Sequence, residues 1–196
     1  MSEKPILCQF HPFPQLETRR LLLRRPYLTD TDDLYLCMKN KNVCRYEMWY
    51  PHASPAETFG FVNDLIDRLD NRCGTTWILQ RKNDGKVLGV INLHDISETN
   101  REAEMGFWLG EEYWHNGYAS EAARRVLGFS FETLGLNRIT CLCAEENEAS
   151  EALIRRLGMV YEGTMREHLR IRGIYTNIRV FSLLAKEYRK NPENLP

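Results

Sequence analysis

The sequence predicts an α/β domain with a mixed β-sheet, because segments of helical and of strand periodicity alternate along the chain. The predicted order is one strand, two helices, three strands, then helix, strand, helix and two closing strands. No repeat, low-complexity tract or Gly/Ser-rich linker interrupts the 196 residues. We therefore expect residues 1–196 to form one continuous domain.

The first part of the chain predicts a strand followed by two helices. Residues 20–24 read as a short strand, and residues 29–39 as a helix. Residues 40–53 carry no periodicity and are expected to be irregular. Ser54, with proline after it and Glu57 at the third helical position, predicts a capping box at the start of the second helix.

Three strands are predicted in the middle of the chain. Residues 75–81 and 86–93 flank Asp84–Gly85, which favours a tight hairpin because glycine accepts positive φ. Residues 102–109 alternate between apolar and polar side chains, so one face of this strand should be buried.

The last part of the chain predicts two helices and three strands. A helix over residues 120–134 precedes a strand over residues 137–144. Asn147 can cap the next helix, and residues 159–169 and 175–184 predict a closing hairpin.

Composition excludes several classes of protein. The chain is 43% hydrophobic, which is sufficient for a core, and its net charge of −1 lacks the basic excess of nucleic-acid binders. Gln9, His11 and Pro12 interrupt the early apolar run, unlike a signal peptide, and no stretch of about 18 apolar residues occurs. We therefore expect a soluble, cytoplasmic protein with no nucleic-acid or membrane partner.

The cysteines do not predict a metal or redox site. They form no C-x-x-C pair and do not cluster with histidines at the spacing of zinc ligands. We expect them to be small core residues in a reducing compartment. They are Cys8, Cys37, Cys44, Cys73, Cys141 and Cys143.

Residues 110–119 connect a predicted strand to a predicted helix. A glycine-containing loop that leads into a helix directs backbone N–H groups and the positive end of the helix dipole at one point, which suits a phosphate group. The spacing matches neither the P-loop nor the dinucleotide fingerprint. By itself this loop is a candidate anion site, and an ordinary strand–helix connection is an equal alternative.

A family resemblance narrows this choice. Residues 104–109 read EMGFWL and residues 113–122 read YWHNGYASEA, which resembles the acetyl-CoA motif of the GNAT acetyltransferases, most closely the RimJ/RimL-like branch. Residues 18–24, 147–158 and 173–184 agree with the same family in order and spacing. The resemblance covers nearly the whole chain, from about residue 18 to residue 188.

The resemblance implies a GNAT-type α/β fold, in which helices flank a mixed β-sheet that splays open at its centre. It also implies acetyl-CoA as cosubstrate. The family's pyrophosphate-binding pattern falls on residues 114–119, where Gly117 matters most because a side chain there would occupy phosphate space. The implied cofactor-binding residues of the loop and helix start are Trp114, His115, Asn116, Gly117, Tyr118, Ala119 and Ser120.

The strand before this loop is implied to bind the pantetheine arm. Exposed backbone at Trp108, Leu109 and Gly110 would pair with pantetheine like an added strand, and a main-chain N–H there would meet the charge that develops on the thioester oxygen. Asn147 matches the family asparagine that hydrogen-bonds pantetheine. A plain helix cap is the alternative for Asn147, and the two roles are compatible.

Two catalytic residues are implied. Glu104 stands where many GNAT enzymes carry the glutamate that takes the amine proton; a solvated surface charge is the alternative, and Glu102 and Glu47 are weaker candidates for the base. Ser150 matches the serine of the RimJ/RimL-like N-x-x-S pattern, which would protonate the departing thiolate, although it also fits a bond to nearby backbone. The tyrosine that many GNAT enzymes use for this step is replaced by Ile154.

The resemblance leaves the acceptor open. It implies a primary amine, either a protein N-terminus such as that of a ribosomal protein or a small amine, with Tyr46, Trp49 and Tyr50 near the entrance or simply packed. We expect direct transfer in a ternary complex, because no cysteine beside the motif has an obvious base. A non-catalytic acyl-CoA-binding sensor is the alternative. Relatives are often dimers, so a homodimer is also an open option.

Overall fold

Eight strands and five helices form the part of the chain that the computed structural model describes, residues 5–190. Residues 1–4 and 191–196 of the predicted domain lie outside the described residues. The strands are β1 (Leu16–Glu17), β2 (Leu21–Arg24), β3 (Thr76–Arg81), β4 (Val87–Ser97), β5 (Glu102–Leu109), β6 (Arg138–Ala144), β7 (Val160–Ile171) and β8 (Ile174–Leu184). The helices are α1 (Thr31–Met38), α2 (Pro55–Asp70), α3 (Tyr118–Gly128), α4 (Glu148–Arg156) and α5 (Ala185–Tyr188). None of the described helices is long and apolar enough to cross a membrane.

The strands form one mixed sheet in the order β1-β2-β3-β4-β5-β6-β8-β7. All neighbouring strands are antiparallel except β5 and β6, which run parallel. That parallel contact covers only three residue pairs, from Glu102–Arg138 to Glu104–Thr140, after which the two strands separate. The mixed, centrally splayed sheet implied by the resemblance is therefore confirmed.

Helices cover both faces of this sheet, and each face has its own apolar core. The larger cluster includes Met105 of β5 and Val126 of α3. The smaller cluster joins Leu34 of α1 and Val62 of α2 to Val90 of β4. Because side chains alternate along a strand, successive residues of β5 point to different cores.

The observed strands agree well with those predicted from the sequence, and the elements that are not predicted are short. The strand predicted over residues 102–109 is confirmed, whereas the other predicted strands differ at their ends. Neither β1 nor α5 is predicted from the sequence. β1 pairs with β2 only through Leu16–Leu23 and Glu17–Leu22, and two residues are too few to produce a periodic signal.

The helix predicted over residues 120–134 has different bounds. It begins at Tyr118, because Gly117 adopts a left-handed φ of +77° and marks the end of the loop. α3 then gives way to a π-helical segment, Phe129–Thr133, before Gly135 (φ +65°) ends the helical run.

The predicted capping box at Ser54 is wrong in detail. Ser54 has extended backbone and precedes α2, but its side chain makes no capping hydrogen bond. Instead the backbone N–H of Ala53 donates to Glu57 Oε2 at 3.0 Å. Glu57 therefore stabilises the entry to the helix without help from the Ser54 hydroxyl.

The cysteines are free thiols, but two of them are not core residues. Four are buried as expected, whereas Cys8 and Cys73 are exposed. Cys8 lies in an N-terminal 3₁₀ turn and Cys73 in the turn after α2, so neither belongs to a periodic element whose apolar face could bury it. The expectation of small core residues is wrong for these two.

Candidate active site

The separation of β5 and β6 creates an opening in the middle of the sheet. Beyond Glu104, β5 remains paired with β4 as far as Leu109, and β6 remains paired with β8 as far as Ala144. We call the space between residues 105–109 and 141–144 the cleft. No strand of the described chain fills it, so an extended ligand can hydrogen-bond to its walls as an added strand would.

The thiols on the β6 wall are not poised to react. The Cys141 thiol donates a hydrogen bond to the Met105 carbonyl at 3.3 Å, across the closed end of the cleft. Burial raises the pKa of Cys141, and burial raises the pKa of Cys143 to about 11. Both groups therefore remain protonated near neutral pH and are poor nucleophiles.

The turn after β5 is held by its own hydrogen bonds. The indole Nε1 of Trp114 donates to the Leu109 carbonyl at 2.9 Å. The Gly110 N–H donates to the Leu88 carbonyl at 2.8 Å, and the Gly110 carbonyl accepts from the Tyr113 N–H at 2.9 Å. The Gly110 N–H is thus occupied, whereas its carbonyl oxygen has a second lone pair and can still accept a hydrogen bond.

Two residues of the loop between β5 and α3 adopt left-handed backbone. His115 has φ +60° and Gly117 has φ +77°. A non-glycine residue rarely adopts this conformation, so His115 holds a backbone geometry that glycine would adopt more readily. The Asn116 side chain donates to the Trp114 carbonyl at 2.8 Å and fixes the loop between the two positions.

The first turn of α3 offers free backbone donors. Gly117 occupies the N-cap position and has no side chain with which to cap the helix. The N–H groups of Tyr118, Ala119 and Ser120 therefore have no acceptor within the helix. Together with the helix dipole they form a site suited to an anion such as a phosphate group.

Glu121 in this first turn is tied to the N-terminal segment of the chain. Its carboxylate accepts hydrogen bonds from Thr18 Oγ1 (2.6 Å), from the Arg20 N–H (2.8 Å) and from Arg20 Nε (2.6 Å). Burial opposes ionisation of Glu121, yet these bonds outweigh it and lower the pKa of the carboxyl. The charge of Glu121 is therefore neutralised within the protein, so it does not repel a nearby anion.

Arg20 supports the loop, a role that the sequence analysis did not identify. Its Nη1 donates to the Asn116 carbonyl at 2.9 Å, and its guanidinium lies 4.3 Å from the centre of the Tyr118 ring. The only sequence signal was its place in the segment 18–24, which matched the family.

Asn147 and Ser150 lie just past the end of the other wall of the cleft. Asn147 is the N-cap of α4, and its Oδ1 accepts a hydrogen bond from the Ser150 N–H at 3.2 Å. The helix-cap interpretation of Asn147 is therefore confirmed. Its side-chain N–H groups remain able to donate to a ligand, because the cap uses only the oxygen.

The three aromatic residues of the irregular segment 40–53 lie in different environments. The Tyr46 hydroxyl donates to the Glu146 carbonyl at 2.9 Å, which ties this segment to the connection between β6 and α4. The ring of Trp49 packs 5.7 Å from that of Trp108 on β5. Tyr50 is exposed. Trp49 is thus a packing residue of the α2 side of the sheet.

Glu104 lies at the closed end of the cleft, in the last pair that β5 makes with β6. Its side chain is 22% exposed, and its Oε1 lies 3.6 Å from Nε2 of His94 on β4. Burial raises the pKa of Glu104, despite the opposing effects of His94 and His168. A carboxylate with a raised pKa takes up a proton more readily, as a general base requires.

The weaker candidates for the base differ from Glu104. Glu102 lies 4.0 Å from Arg138, which offers it an opposite charge. Glu47 is partly buried, and burial raises its pKa to about 7, although a hydrogen bond from Trp49 opposes the rise. Glu47 belongs to the irregular segment rather than to a wall of the cleft.

One cluster of side chains has the composition of a cation site. The ligand atoms of His94, Asp95 and Glu104 lie within 4.8 Å of one another. His94 Nδ1 is 3.0 Å from Asp95 Oδ2, so the histidine is oriented by a carboxylate. No local sequence pattern predicts this cluster, because His94 and Glu104 meet only through strand pairing.

Comparison with known families agrees with this geometry. The model of the acetyltransferase (GNAT) domain matches residues 20–160, well over half of the chain. The chain therefore belongs to the GNAT acetyltransferase family. Members of this family use acetyl-CoA as acetyl donor, and the protein is an acetyl-CoA-dependent N-acetyltransferase.

Individual relatives support the assignment. YoaA, an uncharacterized N-acetyltransferase of Bacillus subtilis (strain 168), is 30% identical over 172 residues, which cover 88% of this chain and 97% of YoaA. Spermidine N(1)-acetyltransferase of Escherichia coli (strain K12) is 27% identical over 150 residues, covering 76% of this chain and 77% of that protein. The solved structure of RimL, a ribosomal L7/L12 alpha-N-protein acetyltransferase in complex with coenzyme A, has a TM-score of 0.76 at 22% identity and covers 89% of this chain and 99% of that chain.

Proposed function

We propose that acetyl-CoA binds with its pyrophosphate at the start of α3 and its pantetheine arm in the cleft. The uncapped N–H groups of Tyr118, Ala119 and Ser120 supply donors for the pyrophosphate, and residues 114–117 bring further backbone to the same point. Trp108 and Leu109 offer main-chain groups to pantetheine on one side of the cleft.

The remaining pantetheine contacts follow from the same arrangement. Asn147 donates to pantetheine from beyond the end of β6, using the side-chain N–H groups that its cap leaves free. Gly110 contributes a tight turn and a carbonyl oxygen that can accept a second hydrogen bond, since only its N–H is fully used. A Cβ at Gly110 would lie 2.6 Å from Cys37 Sγ, so the turn itself requires glycine.

The proposed reaction is direct acetyl transfer to a primary amine. Acetyl-CoA supplies the acetyl group as a thioester. Glu104 takes one proton from the ammonium group, so that the neutral nitrogen attacks the carbonyl carbon; the C–N bond forms and the C–S bond breaks. The second amine proton ends on the sulfur, to which the Ser150 hydroxyl donates a hydrogen bond.

The choice of a primary amine rests on what related proteins share. The spermidine enzyme carries an amine acceptor in its name, and the name of RimL specifies the α-amino group of a protein. A polyamine and a protein N-terminus differ in size but present the same reacting group. The protonated state of Cys141 and Cys143 favours direct transfer over an acetyl-cysteine route.

One observation carries the proposal. Glu104, whose pKa is raised, lies at the closed end of the cleft, and the cleft leads to the start of α3, where no side chain caps the backbone N–H groups. Calorimetric titration with acetyl-CoA, CoA and ATP tests the cofactor site. We expect acetyl-CoA and CoA to bind the parent and ATP not to compete. We expect Gly117→Trp to abolish binding, because a Cβ there would lie 3.4 Å from Arg20 Nη2, beside the loop and helix start proposed to hold the pyrophosphate.

The matched control is Gly173→Trp. Gly173 also has positive φ (+90°), but a Cβ there meets open space in the β7–β8 turn. We expect this variant to bind acetyl-CoA normally. Equal loss in both variants would indicate backbone strain and would contradict the proposed site. Binding by the parent without thiol release across an amine panel would support the sensor alternative instead.

A further inference from the structure

Arg81 lies at the end of β3, on the face of the sheet that α3 covers. It pairs with Leu21 of β2, whose buried side chain belongs to the same core cluster as Val126 of α3. Because paired residues of neighbouring strands point to the same face, the Arg81 side chain also lies on the α3 side. The Arg81 N–H donates to the Lys86 carbonyl at 2.8 Å, and the Arg81 carbonyl accepts from the Gly85 N–H at 2.9 Å. The β3–β4 hairpin therefore fixes the backbone of Arg81.

The guanidinium of Arg81 is oriented by Asp84 of the same hairpin. Arg81 Nε lies 3.0 Å from Asp84 Oδ1, and Arg81 Nη2 lies 2.5 Å from Asp84 Oδ2. Two parallel hydrogen bonds of this kind fix the plane of a guanidinium as well as its position. The carboxylate also balances the positive charge. Arg81 is therefore a flat group of defined orientation whose charge already has a partner.

Two tyrosine rings contact this guanidinium, one from each end of the loop between β5 and α3. The guanidinium carbon of Arg81 lies 5.4 Å from the centre of the Tyr113 ring and 6.0 Å from the centre of the Tyr118 ring. Tyr113 ends the 3₁₀ turn after β5, and Tyr118 is the first residue of α3. We call Arg81, Tyr113 and Tyr118 the Arg81 cluster. This cluster joins the two ends of residues 114–117.

Residues 114–117 have a backbone conformation that depends on such support. His115 is a non-glycine residue with a left-handed φ of +60°. A backbone of this kind persists only where its surroundings hold it in place. The Asn116 carbonyl accepts a hydrogen bond from Arg20 Nη1 at 2.9 Å, which holds the middle of the loop. Arg81 holds its two ends, so the two arginines act on different parts of the same loop.

We infer that Arg81 is a positioning residue for acetyl-CoA, which keeps residues 114–117 in the conformation that binds the pyrophosphate. The inference deepens the proposed function and rests on it, because it concerns the same cofactor site. Arg81 acts through the two tyrosine rings and is not itself a phosphate ligand. Lysine carries the same charge but has no flat face to present to both rings, so it cannot replace arginine here.

A positioning role and a direct phosphate contact change different rate constants. Without the Arg81 cluster, the loop of the free protein spends part of its time in conformations that cannot bind, and the apparent Kd rises in proportion. The contacts within the complex stay the same. Loss of a positioning residue therefore slows association and leaves dissociation unchanged. Loss of a phosphate contact would instead speed dissociation, as most lost interface contacts do.

The test measures the Kd for acetyl-CoA by calorimetry and the two rate constants by surface plasmon resonance. The variants are Arg81→Gln and Arg81→Lys, and Arg81→Lys keeps a positive charge beside Asp84 and so preserves the hairpin. We expect both variants to raise the Kd about 5- to 30-fold, the range that the loss of two cation–π contacts gives. The whole change should appear in the association rate constant.

A second variant tests whether Arg81 acts through the rings. Tyr118→Leu removes one ring and keeps the backbone N–H of the helix start. We expect Arg81→Gln and Tyr118→Leu together to raise the Kd by less than the product of their separate effects, because they disrupt the same contact. Arg68→Gln is the matched control. Arg68 is also paired with an aspartate, Asp64 at 2.8 Å, but belongs to α2 on the other face of the sheet.

The outcomes separate this inference from the proposed function. An unchanged association rate constant in Arg81→Gln overturns the inference, even where urea unfolding shows a less stable fold, because the role of Arg81 would then be structural only. Normal binding by Arg81→Lys, or faster dissociation from Arg81→Gln, also overturns it, because Arg81 would then act by its charge on the cofactor. If the parent itself does not bind acetyl-CoA, the proposed cofactor site fails and the inference fails with it.

Discussion

Glu104 and Glu121 are two similar carboxylates at opposite ends of the same strand–loop–helix unit. Their side chains are 22% and 19% exposed. Burial opposes ionisation of both, but hydrogen bonds from Thr18 and Arg20 reverse this at Glu121 and lower its pKa. Glu104 faces His94 at 3.6 Å instead, and its pKa stays raised.

The difference comes from the partners that the fold gives to each carboxylate. At the start of α3, neutralising partners from the N-terminal segment make the carboxylate part of the scaffold. At the closed end of the cleft, incomplete pairing leaves a carboxylate with a raised pKa, the property on which the proposed role of Glu104 as a base depends. Such a group weakens the fold slightly, which is a common trade between stability and activity.

The largest expected effect is on turnover in Glu104→Gln. We expect the rate of thiol release to fall about 10²- to 10⁴-fold, because the variant cannot take the amine proton. Acetyl-CoA binding, measured by calorimetry, should be unchanged. Glu102→Gln is the control, since Glu102 lies on the same strand and face; an equal loss there would mean that general negative charge, not a base, is required.

The next-largest effect concerns the free energy of unfolding, which we expect to change in opposite directions when Glu121 and Glu104 are replaced by glutamine. Glu121→Gln is expected to lower the free energy of unfolding by about 1.5–3 kcal/mol, because it weakens hydrogen bonds to a charged group. Glu104→Gln is expected to raise this free energy at neutral pH, since it removes a charge that burial disfavours. Urea unfolding followed by circular dichroism measures both changes in free energy. Changes of the same sign would contradict the proposed difference between the two carboxylates.

The pH dependence of the stability difference between the parent and Glu121→Gln provides a sharper test. The pKa of Glu121 is lower in the folded protein than in the unfolded chain. The contribution of Glu121 to the free energy of unfolding is therefore fully present above its unfolded pKa, and it disappears as the pH falls through its folded pKa. We therefore expect the parent and Glu121→Gln to converge in unfolding free energy in acid. A difference that persists below the folded pKa would show that the ionised form is not responsible.

The smallest expected effect is that of Trp114→Phe. The variant loses the 2.9 Å hydrogen bond from the indole to the Leu109 carbonyl, which is worth about 0.5–1.5 kcal/mol. Thermal unfolding should show a small decrease in stability, with a similarly small loss of acetyl-CoA affinity. A loss of affinity much larger than the loss of stability would mean that Trp114 contacts the cofactor directly.

The cofactor side of the site could be predicted from sequence because it is continuous. Residues 102–120 include β5, the loop and the start of α3. Their periodicity and Gly117 predict a candidate anion site, and the continuous motif carries the family resemblance that implies acetyl-CoA there. The polar cluster around Glu104 depends on strand register. His94 and Glu104 become neighbours only when β4 pairs with β5, and no local pattern in either strand specifies that register.

The role of Arg20 also cannot be predicted from local sequence, because its partner Glu121 is distant in the chain. It lies about a hundred positions from Glu121 in the chain, and their contact at 2.6 Å depends on the packing of β2 beside α3. The capping prediction at Ser54 fails for a different reason. The residue type and spacing were right, but Glu57 bonds the backbone N–H of Ala53 instead.

The three-pair contact between β5 and β6 also has a consequence for the exchange of backbone hydrogens with solvent. The sheet is continuous on either side of this contact, but main-chain bonds across it are few. Amides of β5 and β6 that point into the cleft lack a protecting strand, whereas those bonded to β4 and β8 are protected. In deuterium-exchange measurements, the ligand-free cleft should thus stand out as a line of fast-exchanging amides through an otherwise slow sheet, and acetyl-CoA should slow them.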